Sequence, residues 1–155
     1  MKRFALFLAA LCLASAAAAQ SAGLKGVDEA WARAANANDL EAMVSLYAAD
    51  AVLYPPDGFE VRGRDAIRQH LRPMFDHNTL SDVGFVDTRY ETRGDISTGW
   101  GVFKMTLTPK TGGESTVMRG RFTAVAKKTG GKWLYIADHA SMPPAPPPAQ
   151  VAEKP

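Results

Sequence analysis

Apolar residues recur at helical spacing in three segments of the first half of the chain. The first predicted helix has an apolar face formed by Val27, Ala30, Trp31 and Ala34. Asp39 can cap the start of a second helix, whose apolar face consists of Leu40, Met43, Val44 and Tyr47. Gly63 opens a third helix, whose apolar face consists of Ile67, His70, Leu71 and Met74. Pro73 is predicted to kink or close this helix because its ring removes a backbone donor.

Segments typical of β-strands fill the rest of the chain. A short strand is predicted over residues 51–55, between the second and third helices. Four longer strands are predicted over residues 83–93, 96–108, 115–128 and 132–140. Turns at residues 94–95, 109–113 and 130–131 connect these four strands into a meander. The order predicts an α+β fold, in which a cone-shaped, curved antiparallel sheet wraps around three N-terminal helices and encloses a blind apolar pocket.

The two ends of the chain differ in composition from the part between them. Lys2 and Arg3 precede an apolar run over residues 4–14, and small residues precede Gln20, which is the pattern of a cleavable signal peptide over residues 1–19. The apolar run is shorter than the roughly 20 residues that cross a bilayer. Residues 142–155 contain six of the ten prolines and are typical of an extended, disordered tail. We therefore expect a domain over residues 24–141 in a periplasmic or secreted protein, with no membrane contact after signal removal.

Charge and cysteine content exclude several classes of function. Loss of Lys2 and Arg3 with the signal lowers the basic count from 18 to 16, against 16 acidic residues. A formally neutral chain lacks the basic surface that nucleic-acid binding requires. Cys12 is the only cysteine and lies in the signal, so disulfides and thiol nucleophiles are excluded from the mature domain. His70 and His77 lie roughly 10 Å apart along a helix, too far to share a metal, and we expect neither a metal nor another cofactor.

Four segments together resemble the SnoaL-like and ketosteroid-isomerase-like branch of the nuclear transport factor 2-like superfamily. They are residues 38–42, 46–52, 63–67 and 131–141. The resemblance covers about residues 27–141 and rests on the order and spacing of these segments. It implies a cystatin-like cone and a homodimer. It does not fix the function, because this fold hosts isomerases, cyclases, dehydratases, binding proteins and dimerisation modules.

The resemblance also implies where steroid isomerase chemistry would lie. The aspartate base of those enzymes corresponds to Pro55, and proline cannot accept a proton. Their tyrosine oxyanion donor corresponds to Trp31, and their protonated aspartate donor corresponds to Thr123. All three positions hold other residue types, so the sequence argues against steroid isomerisation.

Strand alternation divides the side chains of the last hairpin between two faces. One face carries Arg121, Thr123, Val125, Leu134, Ile136 and Asp138. Because Thr123 matches a pocket position of the resembling family, we expect this face to line the cavity, with Arg121 close enough to Asp138 for an ion pair. The other face carries Met118, Phe122, Ala124, Trp133, Tyr135 and His139. We expect this second, largely apolar face to form the interface of a homodimer.

The sequence leaves three functions open. The first is binding of a small, mainly hydrophobic ligand by Trp31, Leu53, Pro55, Leu71, Met74, Arg121, Thr123 and Ile136. The second is isomerase- or dehydratase-like proton transfer, in which His70 or Asp138 acts as the general base. The third is a homodimerisation module with an inert cavity. The structural alternatives are an Arg121–Asp138 ion pair, which would lower the pKa of the acid, and a hydrogen-bonded core histidine at His70.

Overall fold

The computed structural model describes residues 23–56 and 58–143. The predicted signal peptide, Cys12 and most of the proline-rich tail lie outside the described residues. Three helices precede or interrupt the sheet: α1 (Gly23–Asn36), α2 (Leu40–Val44) and α3 (Arg64–His77). Among the described residues, no helix has the length and apolar character needed to cross a membrane.

The starts of α2 and α3 follow the sequence pattern, whereas α1 begins at Gly23, ahead of Val27 in its predicted apolar face, and α2 ends earlier than predicted. The side chain of Asp39 caps α2, accepting a hydrogen bond of 2.8 Å from the backbone N–H of Ala42. This helix ends at Val44, so Tyr47 is the first residue of a strand and not part of a helical face. Pro73 lies inside α3, which continues to His77, so this proline does not close the helix, and a kink at Pro73 stays a prediction.

One six-stranded sheet forms the rest of the domain and confirms the predicted α+β fold. Its strands are β1 (Tyr47–Tyr54), β2 (Val61–Arg62), β3 (Asn78–Arg93), β4 (Ile96–Pro109), β5 (Thr116–Thr129) and β6 (Lys132–Ser141). They lie in the order β2-β1-β6-β5-β4-β3 in a curved, mostly antiparallel open sheet. The predicted four-strand meander is therefore present. The one difference in direction is that β1 pairs with β6 in parallel.

A β-bulge in β6 decides which side chains face the helices. Ala126 pairs with Tyr135, whereas the preceding Val125 pairs with Ala137, so Ile136 is the extra residue. An inserted residue shifts the alternation of all side chains beyond it by one position. Tyr135 and Asp138, three residues apart, therefore point to the same face of the sheet.

The predicted assignment of the two sheet faces is wrong, except for Asp138 on the inner face and His139 on the outer face. Phe122 and Tyr135 are buried on the inner face, against the helices, together with Ala124 and Trp133. Arg121 is exposed on the outer face, and so is Thr123. The apolar character of the inner face is explained by its packing against the helices of the same chain. The homodimer itself stays a prediction, without the buried residues that were first expected at its interface.

Candidate functional site

The inner face of the sheet and the helices enclose a cavity of about 330 Å³. Its walls are mainly aromatic, aliphatic and methionine side chains, contributed by α1, α3 and most strands of the sheet. The lining residues are Asp28, Trp31, Tyr47, Leu53, Pro55, Pro56, His70, Leu71, Pro73, Met74, Phe85, Phe103, Met105, Met118, Phe122, Tyr135, Asp138 and Ala140. The volume lies at the lower end of the range typical of small-molecule sites.

Most of the predicted site residues lie around this cavity. The lining includes both candidate catalytic residues and five of the eight candidate ligand-binding residues, namely Trp31, Leu53, Pro55, Leu71 and Met74. The other three do not line it. Arg121 and Thr123 point away from the cavity on the outer face, and Ile136 is the bulge residue.

Asp138 is held by a tyrosine that the sequence analysis placed in a helix. The hydroxyl of Tyr47 donates a hydrogen bond of 2.7 Å to Oδ2 of Asp138. The indole Nε1 of Trp31 donates in turn to the hydroxyl oxygen of Tyr47, over 3.2 Å. The predicted ion pair with Arg121 is wrong, because Arg121 pairs with Ser141 across the hairpin whereas Asp138 pairs with Ala124.

The environment of Asp138 favours the protonated acid. Burial raises the pKa of Asp138 from 3.8 to about 6, although the hydrogen bond from Tyr47 and the nearby His139 both lower it in part. An arginine partner would have lowered this pKa instead. The carboxyl group can therefore gain or lose a proton close to neutral pH, as a general acid or base must.

A second carboxyl group, Asp28, was not recognised as a site residue from the sequence. Its side chain on α1 is 1% exposed, and it accepts hydrogen bonds from Tyr135 over 2.5 Å and from Tyr90 over 2.8 Å. The signal was present in the chain, because Leu24, Val27, Asp28 and Trp31 follow helical spacing. An acid within an apolar stripe indicates a buried carboxyl group. In a helix predicted to begin near Val27, however, Asp28 is a first-turn acid that suits the helix dipole, whereas the helix in fact begins at Gly23.

Burial also dominates the titration of Asp28. It raises the pKa of Asp28 from 3.8 to about 7, opposed by the hydrogen bonds from Tyr135 and Tyr90 and reinforced by the charges of Asp138 and Glu29. Burial raises the pKa of Tyr47 and of Tyr135 well above 10.0, so both phenols stay protonated and act as donors. Their rings lie 4.9 Å apart between centroids.

His70 lies on the rim of the cavity. It is exposed and lines the cavity wall, so the interpretation as a core histidine is wrong. Within the described part of the chain, no group of three or more His, Cys, Asp or Glu side chains has the arrangement of a metal site. The side chains of the cavity can form hydrogen bonds and transfer protons, with Asp138 as the acid that is partly open to the cavity.

Residues 29–136 match the profile of the SnoaL-like domain family. No curated protein matches the sequence. Solved structures match widely. A candidate calcium/calmodulin-dependent protein kinase II association domain from Xanthomonas campestris is 26% identical, with a TM-score of 0.67 over 79% of this chain and 87% of that one.

Two further structures share the fold at lower sequence identity. A candidate scytalone dehydratase from Novosphingobium aromaticivorans is 13% identical, with a TM-score of 0.71 over 79% of this chain and 83% of that one. A ketosteroid isomerase-like protein from Erwinia carotovora atroseptica is 23% identical, with a TM-score of 0.62 over 78% of this chain and 94% of that one.

Proposed function

This chain belongs to the SnoaL-like domain family, within the nuclear transport factor 2-like superfamily, and we propose that its cavity binds a small, mainly hydrophobic molecule with one polar group. One observation carries the proposal. An apolar cavity of about 330 Å³ contains two hydrogen-bonded acid–tyrosine pairs, Asp138 with Tyr47 and Asp28 with Tyr135, whose tyrosine rings lie 4.9 Å apart. Such a site buries the hydrocarbon part of a ligand and orients it by its polar end.

A neutral fluorescent probe tests ligand binding directly. N-phenyl-1-naphthylamine fluoresces more strongly in apolar surroundings, and we expect a saturable increase when it is titrated into the protein. Ala140→Phe places a ring in the cavity and should abolish most of this increase, because Ala140 lines the cavity. Thr123→Phe adds the same ring on the outer face and serves as the control.

The outcomes of the probe experiment separate the alternatives. Saturable binding that Ala140→Phe weakens and Thr123→Phe leaves unchanged supports ligand binding in this cavity. Equal binding of the probe by all three proteins, or no binding by any of them, contradicts ligand binding in this cavity and would favour the interaction module with an inert cavity. A cavity filled by side chains would also have favoured an interaction module. The name of the association domain from Xanthomonas campestris agrees with such a module.

A second candidate function is cofactor-free proton transfer of the isomerase or dehydratase type. Two features favour it: Asp138 has a pKa of about 6, and Tyr47 lies 2.7 Å away as a protonated donor. A carboxylate that titrates close to neutral pH can remove a proton α to a carbonyl group through Oδ1, while the Tyr47 hydroxyl, whose one proton is bonded to Oδ2, holds the carboxylate in place. The names of two structural neighbours, a candidate dehydratase and an isomerase-like protein, agree with this chemistry.

Hydrogen–deuterium exchange tests proton transfer without knowledge of the natural substrate. The protein is incubated in D₂O with 2-tetralone, a small cyclic ketone, and incorporation of deuterium beside the carbonyl is followed by NMR. We expect exchange above the buffer rate, lost in Asp138→Asn and retained in His70→Asn if Asp138 is the base. Exchange at the buffer rate for the unmodified protein would count against an enzyme acting on such ketones.

Export to the periplasm or the medium stays a prediction of the sequence. It is checked by the N-terminal residue of the protein secreted by its native cell, which should be Gln20.

A further inference from the structure

The acidic side chains of the cavity have no lysine or arginine to balance them among the described residues of its walls. Asp28 and Asp138 both line it, and of the described residues that form the walls none is lysine or arginine. His70, on the rim, is the one histidine among the described residues that line the cavity. The described ion pairs include neither Asp28 nor Asp138. Two buried carboxyl groups thus share an apolar cavity without a cation to balance them, and such an arrangement is costly when the acids are ionised.

Aromatic rings line the same cavity as the two acids. Trp31, Tyr47, Phe85, Phe122 and Tyr135 all line it. Phe85 links these rings, with centroid distances of 5.9 Å to Trp31 and 4.8 Å to Phe122. The face of an aromatic ring carries negative potential and attracts ammonium ions, most strongly for tryptophan. The rings and the carboxyl groups therefore favour the same kind of charge.

We infer that the cavity selects a cationic amphiphile: a hydrocarbon body with a protonated amine that lies against Asp138 and the aromatic rings. The inference rests on the proposed function and names the class of its ligand. A fatty acid of equal size would bring a third negative charge to the cavity, and a neutral alcohol would leave both acids without a counter-charge. The ammonium group supplies the positive charge that the described walls lack.

The hydrogen bonds assign different roles to the two acids. Asp28 accepts from a tyrosine on each of its oxygens and is 1% exposed, so it acts on the ligand through its field. Asp138 accepts from Tyr47 on Oδ2 only, among the described hydrogen bonds, which leaves Oδ1 to accept from the ligand. A direct bond between an ammonium N–H and Oδ1 would be charge-assisted and stronger than a bond between neutral groups.

The affinity for a cation depends on pH because both acids must be ionised to attract it. Asp138 faces Tyr47 on β1 and has His139 beside it, and Asp28 faces Tyr90 and Tyr135 with Glu29 next in sequence. His70 on α3 completes the titratable groups of the cavity. An alkylammonium keeps its charge below about pH 10. Its binding should therefore strengthen as pH rises through about 6 and about 7, the pKa values of Asp138 and Asp28.

Three probes of equal length test the class of ligand by isothermal titration calorimetry. They are n-octylammonium, n-octanol and n-octanoate. At pH 8 we expect octylammonium to bind about tenfold more tightly than octanol, which one charge-assisted bond provides, and octanoate to bind most weakly. Between pH 8 and pH 5 the affinity for octylammonium should fall about tenfold, as Asp138 becomes protonated, while that for octanol stays constant.

Paired variants locate the selectivity. Asp138→Asn keeps an oxygen that can accept from Tyr47 and removes the charge, so the preference for octylammonium over octanol should fall to about twofold or less. Asp50→Asn removes an exposed carboxylate from the neighbouring strand β1 and should leave the preference unchanged. If Asp138→Asn does not fold, the pH profile of the unmodified protein carries the same test.

The outcomes separate this inference from the proposed function. Octanol binding without any advantage for octylammonium, or an advantage that does not change with pH, overturns the inference and leaves hydrophobic ligand binding standing. Failure of all three probes to bind at millimolar concentration overturns both. A tighter complex with octanoate than with octylammonium would show that the cavity recognises anions and would equally overturn the inference.

Discussion

The hydroxyl of Tyr47 donates a hydrogen bond of 2.7 Å to Oδ2 of Asp138, 91 positions away in the chain. An ionised carboxylate can only accept, and the indole N–H of Trp31 can only donate, so Tyr47 accepts from one and donates to the other. Tyr47 accepts from Trp31 and so has its own proton available for Asp138. Three side chains from α1, β1 and β6 thus set the chemistry of one carboxyl group.

Tyr47→Phe removes this donor, and we expect it to raise the pKa of Asp138 above about 6. A hydrogen bond to a carboxylate stabilises the ionised form, so its loss favours the protonated form. The measurement is the titration of the Asp138 carboxyl carbon by NMR in protein labelled with ¹³C-aspartate. Tyr54→Phe, which removes an exposed hydroxyl bonded to Glu60, is the control. An unchanged or lower pKa of Asp138 in Tyr47→Phe would contradict the assigned direction of the bond.

The free energy of unfolding should decrease as pH rises from 4 to 8. The folded-state pKa values of Asp28 and Asp138 are raised from 3.8 to about 7 and about 6, so the folded protein binds more protons than the unfolded chain in this range. Their stabilising effect is complete below pH 3.8 and is lost as pH rises through these folded values. For Asp28 the loss is on the order of 4 kcal/mol.

Chemical denaturation at several pH values measures this dependence. The Asp28→Asn, Asp138→Asn double variant is the reference, and its stability should change less over the same interval. Parallel curves for the two proteins would show that other groups control the pH dependence.

Gly99→Ala should destabilise the protein by about 1–3 kcal/mol, the usual cost of overpacking. A Cβ at Gly99 would lie 2.6 Å from the ring of Tyr90 and 2.9 Å from Leu24. Because Tyr90 packs over this glycine, the substitution should also weaken its hydrogen bond to Asp28. Urea unfolding measures the effect. Gly84→Ala is the matched control, since the nearest atom to its Cβ would be the end of Lys104 at 3.9 Å.

Asn36 at the end of α1 and Asn38 in the turn after it tie this part of the chain to the edge strand β3, and each should be sensitive to replacement by aspartate. Asn36 donates to and accepts from the backbone of Val83, and Asn38 does the same with Leu80. An aspartate keeps the acceptor but loses the donor, at a cost of about 1–2 kcal/mol per site. Thermal and urea unfolding measure this cost. Gln69→Glu, an amide-to-acid change at an exposed position of α3, should stay within about 0.5 kcal/mol of the parent protein.

A homodimer through the outer sheet face stays a prediction, now centred on Trp100. Its side chain is 41% exposed on that face, opposite Arg89 on β3 and Thr123 on β5. An exposed indole on a sheet surface is a typical interface anchor. Light scattering after size exclusion should give a dimer mass for the parent protein and for Gln69→Glu, and a monomer mass for Trp100→Glu. A monomer mass for the parent protein would contradict the dimer.

The prediction of elements from the sequence succeeded where the signal is local. Helical spacing around Trp31, the cap at Asp39 and the turn at residues 130–131 depend on neighbouring residues alone, and all three occur in the structure. The end of α2 was harder to predict. Tyr47 fits the helical spacing after Met43, but its pairing with Tyr135 of β6 draws it into the sheet.

The composition of the cavity was predictable in part. Apolar stripes of helices face the interior, so Trp31, Leu71 and Met74 could be assigned to the wall before any coordinates. Asp28 was missed because a first-turn acid has an adequate local explanation. Its real partners, Tyr90 and Tyr135, lie 62 and 107 positions away, and no local pattern connects them.

The sequence by itself determined the order of helices and strands, the meander and hence the fold, because those features are encoded in periodicity and turn residues over short segments. Only the tertiary structure decided which face of the sheet is covered and which acids meet in the cavity. The covered face depends on packing against helices that are distant in sequence, and the meeting of the acids depends on the bulge at Ile136, where one extra residue reverses the alternation of β6 beyond it. That single shift brings Tyr135 and Asp138 to one face and leaves Arg121 on the other.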